Sequence, residues 1–505
     1  MAWFRLTRML LFSTLLAGAW SMHVIGQSGP QVLTLGTGTA LGPFDPIRST
    51  TSTNAWFLQN IYQNLLWSDG FGTFEPLLAT AWEQETPTTW RFSLRDDVRF
   101  HDGTAFNADA VKFSLERIAG EESAHRGDFS WLTEVEVVDD LTVRVHTDGP
   151  VAAFLNYVGA FYYPFIVSPT AVARYGPDFA QNPVGTGPFR FDAHVSQSFT
   201  RIVRNDDYWG ERPHLDEVTI RDIIEESARL TAMLTGEIDG VMVVGAAMLG
   251  RLKQETRFQF FEGPGTLVDR FVFNVTRPPF DDARVRQALA HAIDREAMLE
   301  VIFADLGYVF DGPIAPSLVG ANAELAEVVY AYDPARAREL LTEAGVPAGT
   351  VIPVWAATFP DHRLMVEVIE QNLADVGLVL SPTLMEATTL SAETRRGIHD
   401  AYMFGTYAIG DADRVLVEFE CGNIPVGNRM MFCDPEIDAL ILAQRRETDP
   451  EQRRTIIAEI QRRLLHEVGY IPFRARVEVQ VLDQSVQGWS YHPEAWEFWK
   501  VWIER

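Results

Sequence analysis

Cysteine is nearly missing from this 505-residue chain, which carries only Cys421 and Cys433. No histidine lies between them and neither belongs to a C-x-x-C pair, which argues against a zinc site. Low-complexity segments and fixed-period repeats are absent too, so repeat architectures are set aside. Beyond residue 20 no apolar run approaches the length of a bilayer span. Catalytic signatures are equally scarce. There is no G-x-S-x-G elbow, no H-E-x-x-H (His466-Glu467 stands alone) and no P-loop. Gly36–Gly42 has one residue too many for a dinucleotide fingerprint. The eleven histidines are scattered without ligand spacing. A secreted hydrolase would need a nucleophile–base pair or a metal cluster, and neither is visible. Basic charge is also short, with 42 Lys and Arg against 69 Asp and Glu, a net charge of −27. Such a chain is repelled by nucleic acid and by anionic membranes.

What is present is an ordinary globular composition, 47% hydrophobic and 22% charged, with length for two or three domains. The first 26 residues read as an export leader. Arg5 and Arg8 precede the apolar Met9–Trp20, and small residues for cleavage follow at Ala17–Ala19 or near Gly26. An uncleaved anchor is the alternative. No cysteine stands near the leader, so a lipid anchor is not expected and a freely diffusing periplasmic protein is. In an oxidising compartment Cys421 and Cys433 are expected to form a disulfide, two buried free thiols being the other reading.

Strand and helix signals alternate along the chain, which predicts α/β lobes. Val32–Gly38 reads as a strand and Ala55–Leu66 as a helix. Trp90, Phe92 and Leu94 alternate, Asn107 is placed to cap a helix, and Val135–Val145 spells a hairpin. Asp333-Pro334, Asp434-Pro435 and Asp449-Pro450 each read as a helix start. In Phe271–Arg295, FVFNVTRPPFDDARVRQALAHAIDR, a strand-like run ends at Asn274. Two prolines then precede a helix burying Val285, Leu289 and Ile293.

That segment resembles the extracytoplasmic solute-binding proteins of the peptide/nickel class of ABC importers. Other blocks carry the same resemblance in order: FDPIRS at Phe44–Ser49, NIYQNLLWSDG at Asn60–Gly70, and the long LLATAWEQ…FSLERI at Leu77–Ile118. NPVGTGPFRF at Asn182–Phe191 and YDPARARELLTEAG at Tyr332–Gly345 follow. The resemblance implies a two-lobed periplasmic binding protein (class II, type C) with an extra domain beside the first lobe and a cleft between lobes. The first lobe would comprise residues 31–62, 182–272 and 475–505, the extra domain 63–181, and the second lobe 273–474. Crossovers near Phe271–Asn274 and Ile471–Arg474 would form the hinge. It further implies a monomer without cofactor or metal, whose ligand is a short peptide or peptide-like solute and whose partner is a membrane permease. Nickel chelates, oligosaccharides and opine-like solutes are the alternatives within the same fold.

A zwitterionic ligand buried in a cleft needs a carboxylate for its ammonium and an arginine for its carboxylate. Asp411 and Asp413, in GDADR, stand where peptide-binding relatives place the ammonium partner, with Tyr407 in place of a tryptophan. Capping of a helix at Val415–Phe419 is the alternative for these aspartates. Arg363 stands where relatives place a carboxylate-binding arginine, at an unfavourable helix position for a cation. Trp355 is expected either to line the cleft or to pack in a core. Thr37–Thr39, Thr39 in particular, offers polar groups from the first lobe.

Overall fold

The computed structural model describes residues 29–159, 164–326, 329–407 and 410–504, so the expected leader lies outside the described residues. One eleven-stranded sheet runs through both lobes. Its path is Val379–Met385, Val351–Ala357, Ala401–Tyr407, Phe258–Phe273, Tyr470–Asp483, Gly240–Val241, Val32–Thr37, Glu217–Asp222, Phe199–Arg204 and Phe189–Val195, with Gly307–Tyr308 paired alongside. The lobes are joined by two long antiparallel strands, Phe258–Phe273 and Tyr470–Asp483. A four-stranded antiparallel sheet forms a separate layer, in the order Ala79–Thr86, Thr89–Leu94, Thr142–Thr147, Leu132–Asp139. The helix Ala108–Ile118, capped as expected by Asn107 Oδ1 accepting from the Ala110 N–H at 3.1 Å, belongs with it.

The crossing strands change register between Pro264 and Val268. Phe271 and Phe273 lie fully buried beyond that break, in a core with Val285, Leu289, Ile293 and Val354. Val272, between them, points to the opposite face and packs with Tyr402, Leu416, Phe419 and Ile457. A strand covered on both faces reads as a continuous apolar run. Along this strand the core therefore changes, from the cluster of Phe258 before the break to those of Val268 and Phe271 beyond it. The Asn274 and proline signal marks the strand's end.

In the first lobe, Leu33, Leu35, Ile202 and Val218 share one core with Phe92, Val111 and Val143 of the four-stranded unit. That unit is therefore fused to the first lobe by burial. Asp333, Asp434 and Asp449 each accept from first-turn N–H groups, as their Asp-Pro signals predict. The helix expected over Ala55–Leu66 is instead Ser52–Leu58. The carbonyls of Asn60 and Ile61 accept from Phe189 and Gly187, both at 2.9 Å, and so turn to that segment rather than along a helix. Cys421 and Cys433 are joined, with Cα atoms 4.8 Å apart. Among the described residues no helix is long and apolar enough to cross a membrane.

Candidate functional site

Strand direction locates the site. In the first lobe Val32–Thr37, Glu217–Asp222 and Gly240–Val241 are parallel. Gly240 and Val241 pair with Leu482 and Val481, so these strands run toward the register break and end there at Thr37, Asp222 and Val241. In the second lobe Val351–Ala357, Val379–Met385 and Ala401–Tyr407 are parallel. Tyr407 pairs with Leu267, so this set too ends at the break. Carboxyl ends of parallel strands are where open α/β sheets bind ligands, because the loops there are free of the sheet. Here two such sets converge on one crevice. Ile224 and Val243 of the first lobe and Phe359 and Leu384 of the second, at or just past the ends of these strands, remain 57%, 43%, 50% and 39% exposed, too open for core residues.

The floor of the crevice is charged. Arg474, Arg476 and Glu478 alternate along one strand and so share a face. Asp269, from the opposing strand, accepts from Arg474 Nε at 2.9 Å and Arg476 Nε at 3.1 Å. Burial opposes ionisation of Asp269, but the Arg476 and Arg474 guanidiniums outweigh it and hold its carboxyl far below the usual range. The Arg476 side chain is 33% exposed, whereas those of Arg474 and Asp269 are 8% and 3% exposed. Burial raises the carboxyl of Glu478, against the pull of Arg476 and the Thr266 N–H. The first turn of the helix Pro360–Asp375 adds Asp361, whose charge acts on both Arg474 and Arg476. Burial is the main cause lowering the pKa of His362 beside it.

The sequence-predicted residues divide. Thr39 is exposed just past the end of the first strand, its N–H bonded to Thr37 Oγ1 at 3.2 Å. Arg363 is exposed in the first turn of its helix, also at the crevice. Tyr407 ends its strand at the break, but its side chain lies outside the described residues, as do Ala408 and Ile409. Trp355 is mid-strand, paired with Tyr402, and its half-buried ring packs 6.0 Å from His399 against the second lobe's core.

Asp411 and Asp413 are each only 1% exposed. Asp411 accepts from Arg453 Nη1 at 2.7 Å, with Arg453 Nη2 on its other oxygen, and caps the next turn through the Asp413 N–H at 2.8 Å. Asp413 accepts from Arg445 Nε at 3.0 Å and from the Tyr157 hydroxyl at 3.0 Å. Both carboxylates thus have guanidinium partners, as buried charges require. Those partners lie 32 and 42 residues along the chain, beyond the reach of local motif reading. Sequence reasoning missed Asp269, Arg476 and Glu478. The alternation of charge in Arg474-x-Arg476-x-Glu478, inside a mainly apolar strand, was the available signal.

A separate cavity of about 230 Å³ lies within the first lobe, lined by Trp67, Tyr208, His492 and Trp499 among others. Among the described residues no group of three or more His, Cys, Asp or Glu is placed to hold a metal ion.

Residues 73–423 match the family model described as bacterial extracellular solute-binding proteins, family 5 Middle. The chain is 29% identical over 472 residues to the glutathione-binding protein GsiB of Pectobacterium atrosepticum, covering 91% of this chain and 90% of that protein. It superposes on the periplasmic binding protein DppA of Helicobacter pylori, solved with the peptide STSA, with a TM-score of 0.83 at 26% identity over 94% of this chain and 98% of that one. It likewise matches the binding protein AgaA from A. tumefacien R10, solved with agropinic acid, with a TM-score of 0.82 at 25% identity, covering 94% and 99% of the two chains.

Proposed function

Because the chain belongs to the bacterial extracellular solute-binding proteins of family 5, we propose that it captures a short peptide or peptide-like zwitterion outside the inner membrane and hands it to an ABC permease. The observation that carries this is the charged floor. Two guanidiniums and two carboxylates, Arg476 and Glu478 on the crossing strand and Arg363 and Asp361 on the facing helix start, ring the point where both sets of strands end. A zwitterion enclosed there meets the Arg363 guanidinium and that of Arg476, shared with Asp269, for its carboxylate and an acid for its ammonium, without which burial would cost several kcal/mol per charge. Thr39 and Tyr407 are ligand contacts in this reading. Asp411 and Asp413 enter only if ligand shares them with Arg453 and Arg445. Trp355 supports the core.

The lobes divide as the resemblance implies, with the crossing moved to Gly265–Leu267, and the protein works as a monomer after removal of its leader. Closure stabilised by ligand needs contacts that the open form lacks. The glutathione-binding relative supports a γ-linked or small peptide as cargo. The agropinic acid complex of a structural relative supports an opine-like solute as the second reading.

Native mass spectrometry of protein released gently from the periplasm, followed by calorimetry with glutathione, di- and tripeptides, tests the proposal. A peptide-sized adduct, and binding weakened at least tenfold in Arg476→Lys protein, is expected. A sugar or metal-chelate adduct would overturn the cargo.

A further inference from the structure

Among the described residues, three hydrogen-bonded contacts join residues 148–157 of the extra unit directly to the second lobe. The Tyr157 hydroxyl donates to Asp413 Oδ2 at 3.0 Å. The Ala152 N–H donates to the Arg445 carbonyl at 2.8 Å. Arg446 Nη1 meets Asp148 Oδ1 at 3.1 Å. On one side all three come from residues 148–157. On the other they come from Asp413 and from the last turn of the helix Pro435–Arg446.

Each side is prepared for the contact. The last carbonyls of a helix have no partner within it. Here the extra unit supplies an N–H to one of them, and Arg446 carries its charge at the end that favours a cation. Asp413 is fixed in place by Arg445 Nε. Tyr157 is aimed by its neighbours: Trp131 lies 5.7 Å and Phe129 6.1 Å from its ring. Behind them Phe154 stacks on Trp90 at 4.8 Å, rooting the cluster in the four-stranded sheet. A side chain held in one rotamer before contact loses little entropy in making it. Gly149 lies so close to the Arg446 guanidinium that an added Cβ would fall 1.6 Å from Nη1, so the two surfaces meet without a gap.

We propose that residues 148–157 are a closing latch, through which the extra unit grips the second lobe when the crevice is shut. Asp413 is then a positioning residue for closure, acting through Tyr157 and Arg445. The latch adds to the closed side of the balance that ligand also favours, and so rests on the capture reading above. Opening breaks all three contacts at once and returns their groups to water. Removing one hydrogen bond to a charged acceptor should shift the balance toward the open form by roughly tenfold.

The test is solution X-ray scattering from the full mature protein, free of ligand, for wild type, Tyr157→Phe and Tyr157→Phe/Arg446→Ala, with circular dichroism to verify folding. Wild type should be the most compact of the three. The single and double variants should be progressively more expanded. Stopped-flow measurement with glutathione should then show dissociation about tenfold faster in Tyr157→Phe, with association little changed. A double variant as compact as wild type overturns the latch. Glutathione that binds neither protein counts against the cargo, while the scattering comparison still decides the latch.

Discussion

Asp269 is the residue on which the crossing depends most. It is 3% exposed and bonded to Arg474 and Arg476 at the break in register. Replacing one member of a buried ion group leaves the others uncompensated, at a cost of roughly 3–5 kcal/mol. Asp269→Asn should lower the urea midpoint accordingly, and a loss under about 1 kcal/mol would mean that water already serves the arginines. Because its folded pKa is depressed, Asp269 contributes stability that is complete above the unfolded value of about 4 and is lost as pH falls below it.

Histidines act in a higher window. Burial pushes His101, His125 and His399 each down to about 4. His399 Nε2 donates to the Arg429 carbonyl at 2.9 Å, which leaves no place for a second ring proton on Nδ1. Between about pH 6.5 and 4 the unfolded chain binds protons that the folded chain refuses, so stability falls with acidification by up to about 1.4 kcal/mol per unit for each histidine. Urea midpoints measured from pH 7 to 5 should decline steadily. A flat series would show that these rings are protonated in the fold.

At the scale of elements, what was legible followed from local chemistry. The Asp-Pro helix starts, the Asn107 cap and the alternation in Trp90–Leu94 each involve residues a few positions apart, and each reads correctly. The helix over Ala55–Leu66 misread because its end is decided by Phe189 and Gly187, more than a hundred residues away. The site was legible only in part for the same reason. GDADR marks a real structural junction, but the arginines that occupy its carboxylates arrive from the helices Pro435–Arg446 and Pro450–Glu467. The disulfide was readable because its two cysteines are the only ones. It closes a loop of sequence separation 12, for which chain entropy gives on the order of 3 kcal/mol. Cys421→Ser/Cys433→Ser protein should unfold at a lower denaturant concentration by that amount.

At the scale of the molecule, charge and closure act on different steps of capture. A net charge of −27 surrounds a crevice whose floor carries both signs. The long-range field draws cations inward and is screened beyond about 8 Å at physiological salt. The floor itself is reached only after encounter. Association of a lysine-containing peptide should therefore slow several-fold as salt rises from about 20 to 500 mM, whereas a net-neutral dipeptide should associate at a nearly constant rate. Dissociation should depend little on salt in either case, since it is set by the floor and by the contacts that hold the lobes shut. Stopped-flow measurement of both peptides separates the two steps. Equal salt slopes would mean that the acidic surface lies too far from the crevice to steer a ligand. A dissociation rate that rises with salt would instead place the salt-sensitive charges at the closing surface, where Arg446 and Asp148 meet and are the most solvent-exposed of its three contacts.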